Sequence, residues 1–266
     1  MTVDPVIVDR RGSALWLTIN RPDHHNALSN DVLAALRAGV RAAKSDPAVR
    51  LAVITGAGDR AFCAGGDLSQ MSTASRDLEA HEGRGLLAGL FKDLWTLGKP
   101  TVARVHGFAL AGGCGLAAAC DFVVASDSST FGIPEVKVGL WPYMITVPLL
   151  HCMPPRTLIR LMLTGRRFSA TEAADLGIVS HVVPHDELDI AVGALVDALV
   201  KTSPESVALG RTTFYTLVDA ELDLRLQTLQ SMLTVNLDMP DAREGLAAFA
   251  EKRSPRWVSE AQESLA

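Results

Sequence analysis

Apolar and polar positions alternate across PVIVDRRGSALWLTIN (residues 5–20), whose β-branched and apolar residues fall on either side of Arg11 and Gly12. That pattern predicts two strands joined at a tight turn. The period then changes. In NDVLAALRAGVRAAKSD (30–46), Val32, Leu33, Leu36 and Val40 recur at helical spacing, and Ser29 stands where its hydroxyl would cap the first turn. LAVITG (51–56) is an unbroken apolar run ended by glycine and reads as a buried strand. KPTVARVHG (99–107) and DFVVAS (121–126) read as two more, with helical stretches near 86–97 and 113–119. Strands that alternate with helices point to an α/β fold built from parallel crossover units.

From about Pro154 the pattern turns helical, through RTLIRLMLTG, SATEAADLG and amphipathic stretches near 187–201, 205–216 and 220–237. The expectation is a helical appendage packed on the α/β core, since neither a low-complexity linker nor a convincing internal repeat is present. QMSTASRDLEAHEGRG (70–85) is the one long polar stretch and a candidate mobile loop near a ligand.

Composition narrows the function classes. The 266 residues fit one large domain, or a domain with a terminal extension, and leave room for a sizeable core. With 48% hydrophobic residues, 21% charged residues and no apolar run of bilayer length, no membrane span is expected. The opening MTVDPVIVDRRG lacks a basic stretch leading into an apolar signal core, so a cytoplasmic protein is expected. A net charge of -5 with scattered Lys and Arg offers no basic stripe for nucleic acid, and any anionic ligand must be held by a local site. Cys63, Cys114, Cys120 and Cys152 form no CxxC pair and sit among small apolar neighbours, which suits reduced core thiols better than metal ligands or disulfides.

The most unusual local choice is HGFALAGGCGLAAACD (106–121), where Gly107, Gly112, Gly113 and Gly115 crowd the start of a buried-looking helical stretch. Glycine in a helix costs ~1 kcal/mol against alanine, so such a cluster signals that something comes close to the backbone. A second turn of this kind, FCAGGDL (62–68), also places glycines after a strand and before a helical stretch. Backbone N–H groups are free in the first turn of a helix, and the macrodipole adds partial positive charge there. Two such turns can offer two donors to one oxygen anion.

NRPDHHNAL, FCAGGDL, VHGFALAGGCGLAAACD, FGIPEVKVGL and FAEKRSPRW occur in the order and roughly the spacing found in the crotonase (enoyl-CoA hydratase/isomerase) superfamily, and the resemblance covers nearly the whole chain. It implies an α/β, crotonase-like spiral of repeated ββα units over residues 1–195. A C-terminal helical region over 196–266 would then mediate trimerisation and complete part of the CoA site. The implied assembly is a homotrimer or a hexamer formed as a dimer of trimers. The implied substrate is an acyl-CoA thioester, with coenzyme A entering as part of that substrate. No permanently bound cofactor, metal, nucleic acid or membrane partner is expected.

By motif position, the resemblance makes the amides of Gly66 and Gly112 the donors to the thioester oxygen as it becomes an enolate, although other members carry a larger residue at the position of Gly66. One such donor is worth about 10²- to 10³-fold in rate. Glu135 falls on the position of the family's acid/base glutamate. Hydratases of the family carry a second glutamate three residues beyond the helix donor, where this chain has Gly115. Water addition normally shares its work between two carboxylates, whereas a 1,3 proton shift needs one base that takes a proton and returns it. On that argument the sequence favours isomerisation.

The same resemblance places CoA along Arg21, Ala27, Ala64, Asp67 and Leu68, with Arg60 behind them and Phe249, Lys252 and Arg253 reaching the nucleotide from the C-terminal element. Trp141, Tyr143 and Met144 stand where many members have small residues, and are expected either in the core or along the acyl pocket. His24, His25 and His106 sit at positions that vary in kind and are given no catalytic role. Three alternatives stay open: a hydratase that recruits a second acid from the polar loop, where Asp77, Glu79, His81 and Glu82 lie, a CoA-thioester hydrolase, and a weakly catalytic acyl-CoA-binding paralogue.

Overall fold

The computed structural model describes residues 4–67, 78–218, 239–251, 253–257 and 260. β1 (Val6–Arg11) and β2 (Ala14–Ile19) form the expected hairpin, antiparallel from Val6↔Ile19 to Arg11↔Ala14, with Gly12 at φ 58° in the turn. β2 pairs in parallel with β3 (Leu51–Gly56). β4 (Ala61–Cys63) leaves this sheet and opens a second one. The chain repeats that move with β5 (Thr101–Val105) followed by β6 (Phe108–Leu110), and again with β7 (Phe122–Ser126) followed by β8 (Thr130–Gly132). β9 (Arg167–Ser169) and β10 (His181–Val183) complete a four-stranded sheet of order β4-β6-β8-β9 and a six-stranded sheet of order β1-β2-β3-β5-β7-β10.

Helices follow the strand pairs, which makes the architecture a spiral of ββα units. α1 (Asn30–Ser45) is capped as expected, with the Val32 amide donating to the Ser29 hydroxyl at 3.3 Å. α2 (Leu78–Trp95) follows β4, and α3 (Gly112–Ala118) follows β6. Beyond β8 come α4 (Thr146–Cys152), α5 (Pro155–Thr164), α6 (Ala170–Asp175), α7 (Leu188–Leu199), α8 (Pro204–Leu217) and α9 (Pro240–Glu251).

β3, at the middle of the six-stranded sheet, is buried on both faces, which explains its unbroken apolar run. Successive side chains point to opposite sides, so Leu17, Ile19 and Ile54 enter the main core. Trp16, Leu51 and Val53 enter a smaller one, which α7 closes with Leu188 and Val192.

KPTVARVHG carries one strand, β5, as expected; after Gly107, φ 59°, the chain crosses to the other sheet as β6. Two sequence expectations change. The region after Pro154 is not wholly helical, because β9 and β10 lie within it and join the two sheets. Three-residue strands are too short to show a period, and their partners come from distant parts of the chain. The polar stretch 70–85 is not a loop to its end, since α2 begins at Leu78; residues 70–77, and the expected helix at 220–237, lie outside the described residues.

Asn26 ties the loop before α1 to the β3–β4 connection. It is fully buried at φ 56°; its Oδ1 accepts from the Arg21 amide at 3.0 Å, and its Nδ2 donates to the carbonyls of Ala57 at 2.9 Å and Ala61 at 2.6 Å. Asn26→Ala strands these groups in the interior and is expected to lower stability by about 3 kcal/mol in denaturant unfolding. Asn26→Asp should also destabilise, because a carboxylate has no N–H for the two carbonyls.

Candidate active site

The site begins where β4 ends. Leu28 forms a parallel bridge with Gly66: the Leu28 amide donates to the Gly65 carbonyl at 2.8 Å, and the Asp67 amide donates to the Leu28 carbonyl at 3.2 Å. This bridge uses the peptide groups on either side of Gly66 and turns the Gly66 N–H the other way. The second glycine turn starts α3. Ala111 precedes the helix at φ 50°, ψ -124°, and Gly112 is its first residue, where an N–H has no intrahelical acceptor.

The two turns touch. A Cβ built on Gly112 would lie 3.5 Å from the Gly66 amide nitrogen, and one on Gly65, φ 103°, would lie 2.7 Å from the Ala111 Cβ and 3.3 Å from the Gly112 nitrogen. A Cβ on Gly113 would overlap the Cys63 carbonyl oxygen, so the start of α3 is pressed against the end of β4. Glycine is used here because backbone meets backbone. Among the described residues, neither the Gly66 nor the Gly112 N–H has a hydrogen-bond acceptor.

Glu135 enters from β8. Pro134 leads into a 3-10 turn over Glu135–Val138, closed at Gly139 with φ 76°. The carboxylate is half-buried, its Oε2 is shielded from solvent without a partner among the described residues, and burial holds its pKa above the ordinary 4.5. It lies close to α3: after burial itself, the Glu135 charge is the next contribution that raises the pKa of the Cys114 thiol.

One neighbour went unnoticed in the sequence. Ile145, only 2% exposed, fills the space beside Gly115: a Cβ there would overlap the Cγ2 of Ile145 and reach to 3.3 Å of its Cα. Of the expected wall residues, Trp141 packs on the main core, while Tyr143 and Met144 are 71% and 44% exposed.

Arg21 and Asp67 are drawn together. The Arg21 Nη1 donates to Asp67 Oδ2 at 2.9 Å and to the Ala27 carbonyl at 3.0 Å, and the two side chains are 21% and 10% exposed. Ala27 and Ala64 are half-buried on the same two segments, which the Ala64 amide links by donating to the His25 carbonyl at 3.0 Å. Arg60 instead lines a cavity of about 310 Å³ with Pro22, Asp23, Ala57, Asp59 and Ala61, in which neither Gly66, Gly112 nor Glu135 takes part. Leu68 and Lys252 lie outside the described residues; Phe249 is placed in α9, and Arg253 pairs with Glu244 at 2.6 Å.

Other candidate chemistry falls away from this site. His24 and His25 are exposed, and the buried His106 has its Nδ1 3.1 Å from Arg104. The four cysteines are free; burial pushes Cys63 and Cys120 up to about 12 and Cys152 to about 11, far from the thiolate that nucleophilic chemistry needs. The described residues contain no cluster of three potential metal ligands and no helix long and apolar enough to cross a membrane.

Comparison with known proteins gives this arrangement a setting. A family model described as enoyl-CoA hydratase/isomerase matches residues 9–260. The chain is 33% identical to a crotonyl-CoA hydratase of Syntrophomonas wolfei, over 97% of this chain and 100% of the relative. It is 37% identical to a carnitinyl-CoA dehydratase of Salmonella arizonae, over 93% of this chain and 96% of the relative. Among solved structures it is similar to an enoyl-CoA hydratase of Mycobacterium smegmatis, with a TM-score of 0.91 and 33% identity over 95% of this chain and 98% of the other. Human enoyl coenzyme A hydratase domain-containing protein 3 matches with a TM-score of 0.89 and 29% identity, over 95% and 100%. Family match, sequence identity and the spiral of ββα units agree over nearly the whole length: the chain is an enzyme of the enoyl-CoA hydratase/isomerase family.

Proposed function

We propose that this acyl-CoA enzyme moves a carbon–carbon double bond along the acyl chain, with the amides of Gly66 and Gly112 as an oxyanion hole and Glu135 as the one acid/base. What supports the reading is the buried Oε2 of Glu135, which has no partner among the described residues and whose charge acts on Cys114 of α3, together with the amides of Gly66 and Gly112, which have no acceptor among the same residues. A thioester oxygen bound between the amides gains negative charge when Glu135 removes a proton from C2 of a 3-enoyl thioester. The double bond then shifts to C2–C3, and the proton on Glu135 passes to C4, so no other reactant is consumed. Each fixed donor contributes about 10²- to 10³-fold, because it is already oriented toward the charge that develops.

In this reading CoA runs along Arg21, Ala27, Ala64, Asp67 and Leu68, with the charge of Arg21 shared with Asp67. Phe249 and Lys252 would reach its nucleotide end. The region 196–266 would carry the contacts of a homotrimer or hexamer around the 1–195 core. Light scattering is expected to give a multiple of the chain mass; a lone monomer would remove that assembly.

A second reading, a hydratase with an atypical second acid, is favoured by the names of two relatives, a crotonyl-CoA hydratase and a carnitinyl-CoA dehydratase. A panel of 2-enoyl, 3-enoyl and 3-hydroxyacyl thioesters separates the readings by product: a migrated double bond, added water, free CoA from a hydrolase, or tight binding without turnover.

Glu135→Gln keeps the shape of the side chain but cannot accept a proton. It is expected to lower kcat by about 10²- to 10⁴-fold while the Kd for acyl-CoA stays near the wild-type value. Wild-type kcat on the best substrate of the panel would exclude Glu135 as the base. The pH profile carries a further expectation. The base works as carboxylate and its pKa is raised by burial, so kcat/KM should fall with decreasing pH along a limb centred above 4.5. An acid limb centred at or below 4.5 would contradict that assignment.

A further inference from the structure

We infer that Ile145 is the specificity-determining residue of this site, because it fills the face of α3 beside Gly115 and thereby keeps water and any second polar group from the reacting carbons. The inference rests on the proposed function and goes beyond it, since it assigns the choice between proton return and water addition to one aliphatic side chain.

Gly115 lies three residues past Gly112 on α3, so both project from nearly the same side of the helix. At Gly112 the space in front of the helix leads to the Gly66 amide, and at Gly115 it is taken by the Cγ2 and Cβ of Ile145. Glycine at 115 and a β-branched residue at 145 are therefore one packing decision: a side chain at the first position needs a smaller one at the second.

Ile145 is held firmly in this place. The Thr146 hydroxyl donates to the Pro142 carbonyl at 2.8 Å, the Tyr143 amide to the Trp141 carbonyl at 2.8 Å, and the Leu149 amide to the Ile145 carbonyl at 3.2 Å. The connection that holds the plug starts at Glu135, so the base and the plug enter the site on one short segment.

Chemistry turns this packing into a choice of product. Addition of water to a 2-enoyl thioester forms a C–O bond at C3 and a C–H bond at C2, which requires a water held beside C3 and polarised by a polar group. An isoleucine side chain offers no acceptor or donor for that water. With no oxygen nucleophile ordered beside the enolate, the proton on Glu135 has only carbon to return to.

Three variants test this: Ile145→Ala, Gly115→Glu with Ile145→Ala, and the milder Ile145→Val, each checked for folding by circular dichroism and assayed with 2-enoyl and 3-enoyl thioesters in H₂O and D₂O. Ile145→Ala should raise the hydration-to-isomerisation ratio by at least about ten-fold, the scale set by a few methylenes in an apolar pocket. The double variant, with room for a second carboxylate, should raise it by about 100-fold. Deuterium from solvent should also enter the migrated product more heavily, because admitted water exchanges the proton carried by Glu135; a purely structural role would not move that readout. If Ile145→Ala fails to fold, Ile145→Val, which shortens the side chain by one methylene, should still increase deuterium uptake. Folded variants with wild-type product ratio and wild-type deuterium content would overturn the inference.

Glu135→Gln in the wild-type chain separates the two levels. Lost turnover there, together with unchanged Ile145 variants, sinks this inference alone. Retained turnover sinks the single-base reading and the inference with it.

Discussion

Backbone against backbone is the contact on which the rest of the site depends. Gly65 meets Ala111 and Gly112 with no room for a side chain, and the Gly66 amide nitrogen lies beside the place a Cβ on Gly112 would take. Everything larger is arranged to permit this approach. The spiral delivers the end of β4 and the end of β6 side by side in one sheet, Leu28 pins the first turn from the loop before α1, and α3 is buried along its whole length. A substitution far from the site can therefore act on it by moving one turn relative to the other. Asn26 is the clearest such lever, since its amide joins Arg21 to the carbonyls of Ala57 and Ala61.

Glu135 gains its character from the same burial. A carboxyl shielded from water holds its proton more tightly than an exposed one, and the loss of solvent around Oε2 is not made good by any partner among the described residues. Such a group is unfavourable for stability alone, and enzymes place such groups where a substrate completes the environment. The neighbouring cysteines show the opposite outcome of burial. Their thiols are pushed toward permanent protonation, and they serve as small apolar residues in the core.

How much of this was legible in the sequence follows from the range of each interaction. α1 declared itself through sixteen residues of helical period and a serine cap, and β3 through an apolar run that two buried faces demand. β4, β6, β8 and β9, at three residues each, left no periodic trace, although the glycine turns after β4 and β6 stood out through their cost. The role proposed for Glu135 came from resemblance, and the structure adds an independent physical sign in an Oε2 buried without a partner among the described residues. The Arg21–Asp67 pair spans 46 residues and the Ile145–Gly115 contact joins two separate helical segments. Neither leaves a local pattern. The sequence hint to Ile145 was a glycine inside a helix, at Gly115.

Ala111 gives the site a thermodynamic character of its own. A non-glycine residue at φ 50°, ψ -124° occupies sparsely populated backbone space, at a cost on the order of 1–3 kcal/mol that the packing around it must cover. That cost is met when the chain folds, before any ligand arrives. The peptide that carries the Gly112 N–H is therefore already frozen in the free enzyme, and a bound oxygen does not have to immobilise it. Association at this end of the ligand should be limited by desolvation rather than by lost backbone entropy, and the freedom that binding removes must come from the acyl-CoA itself.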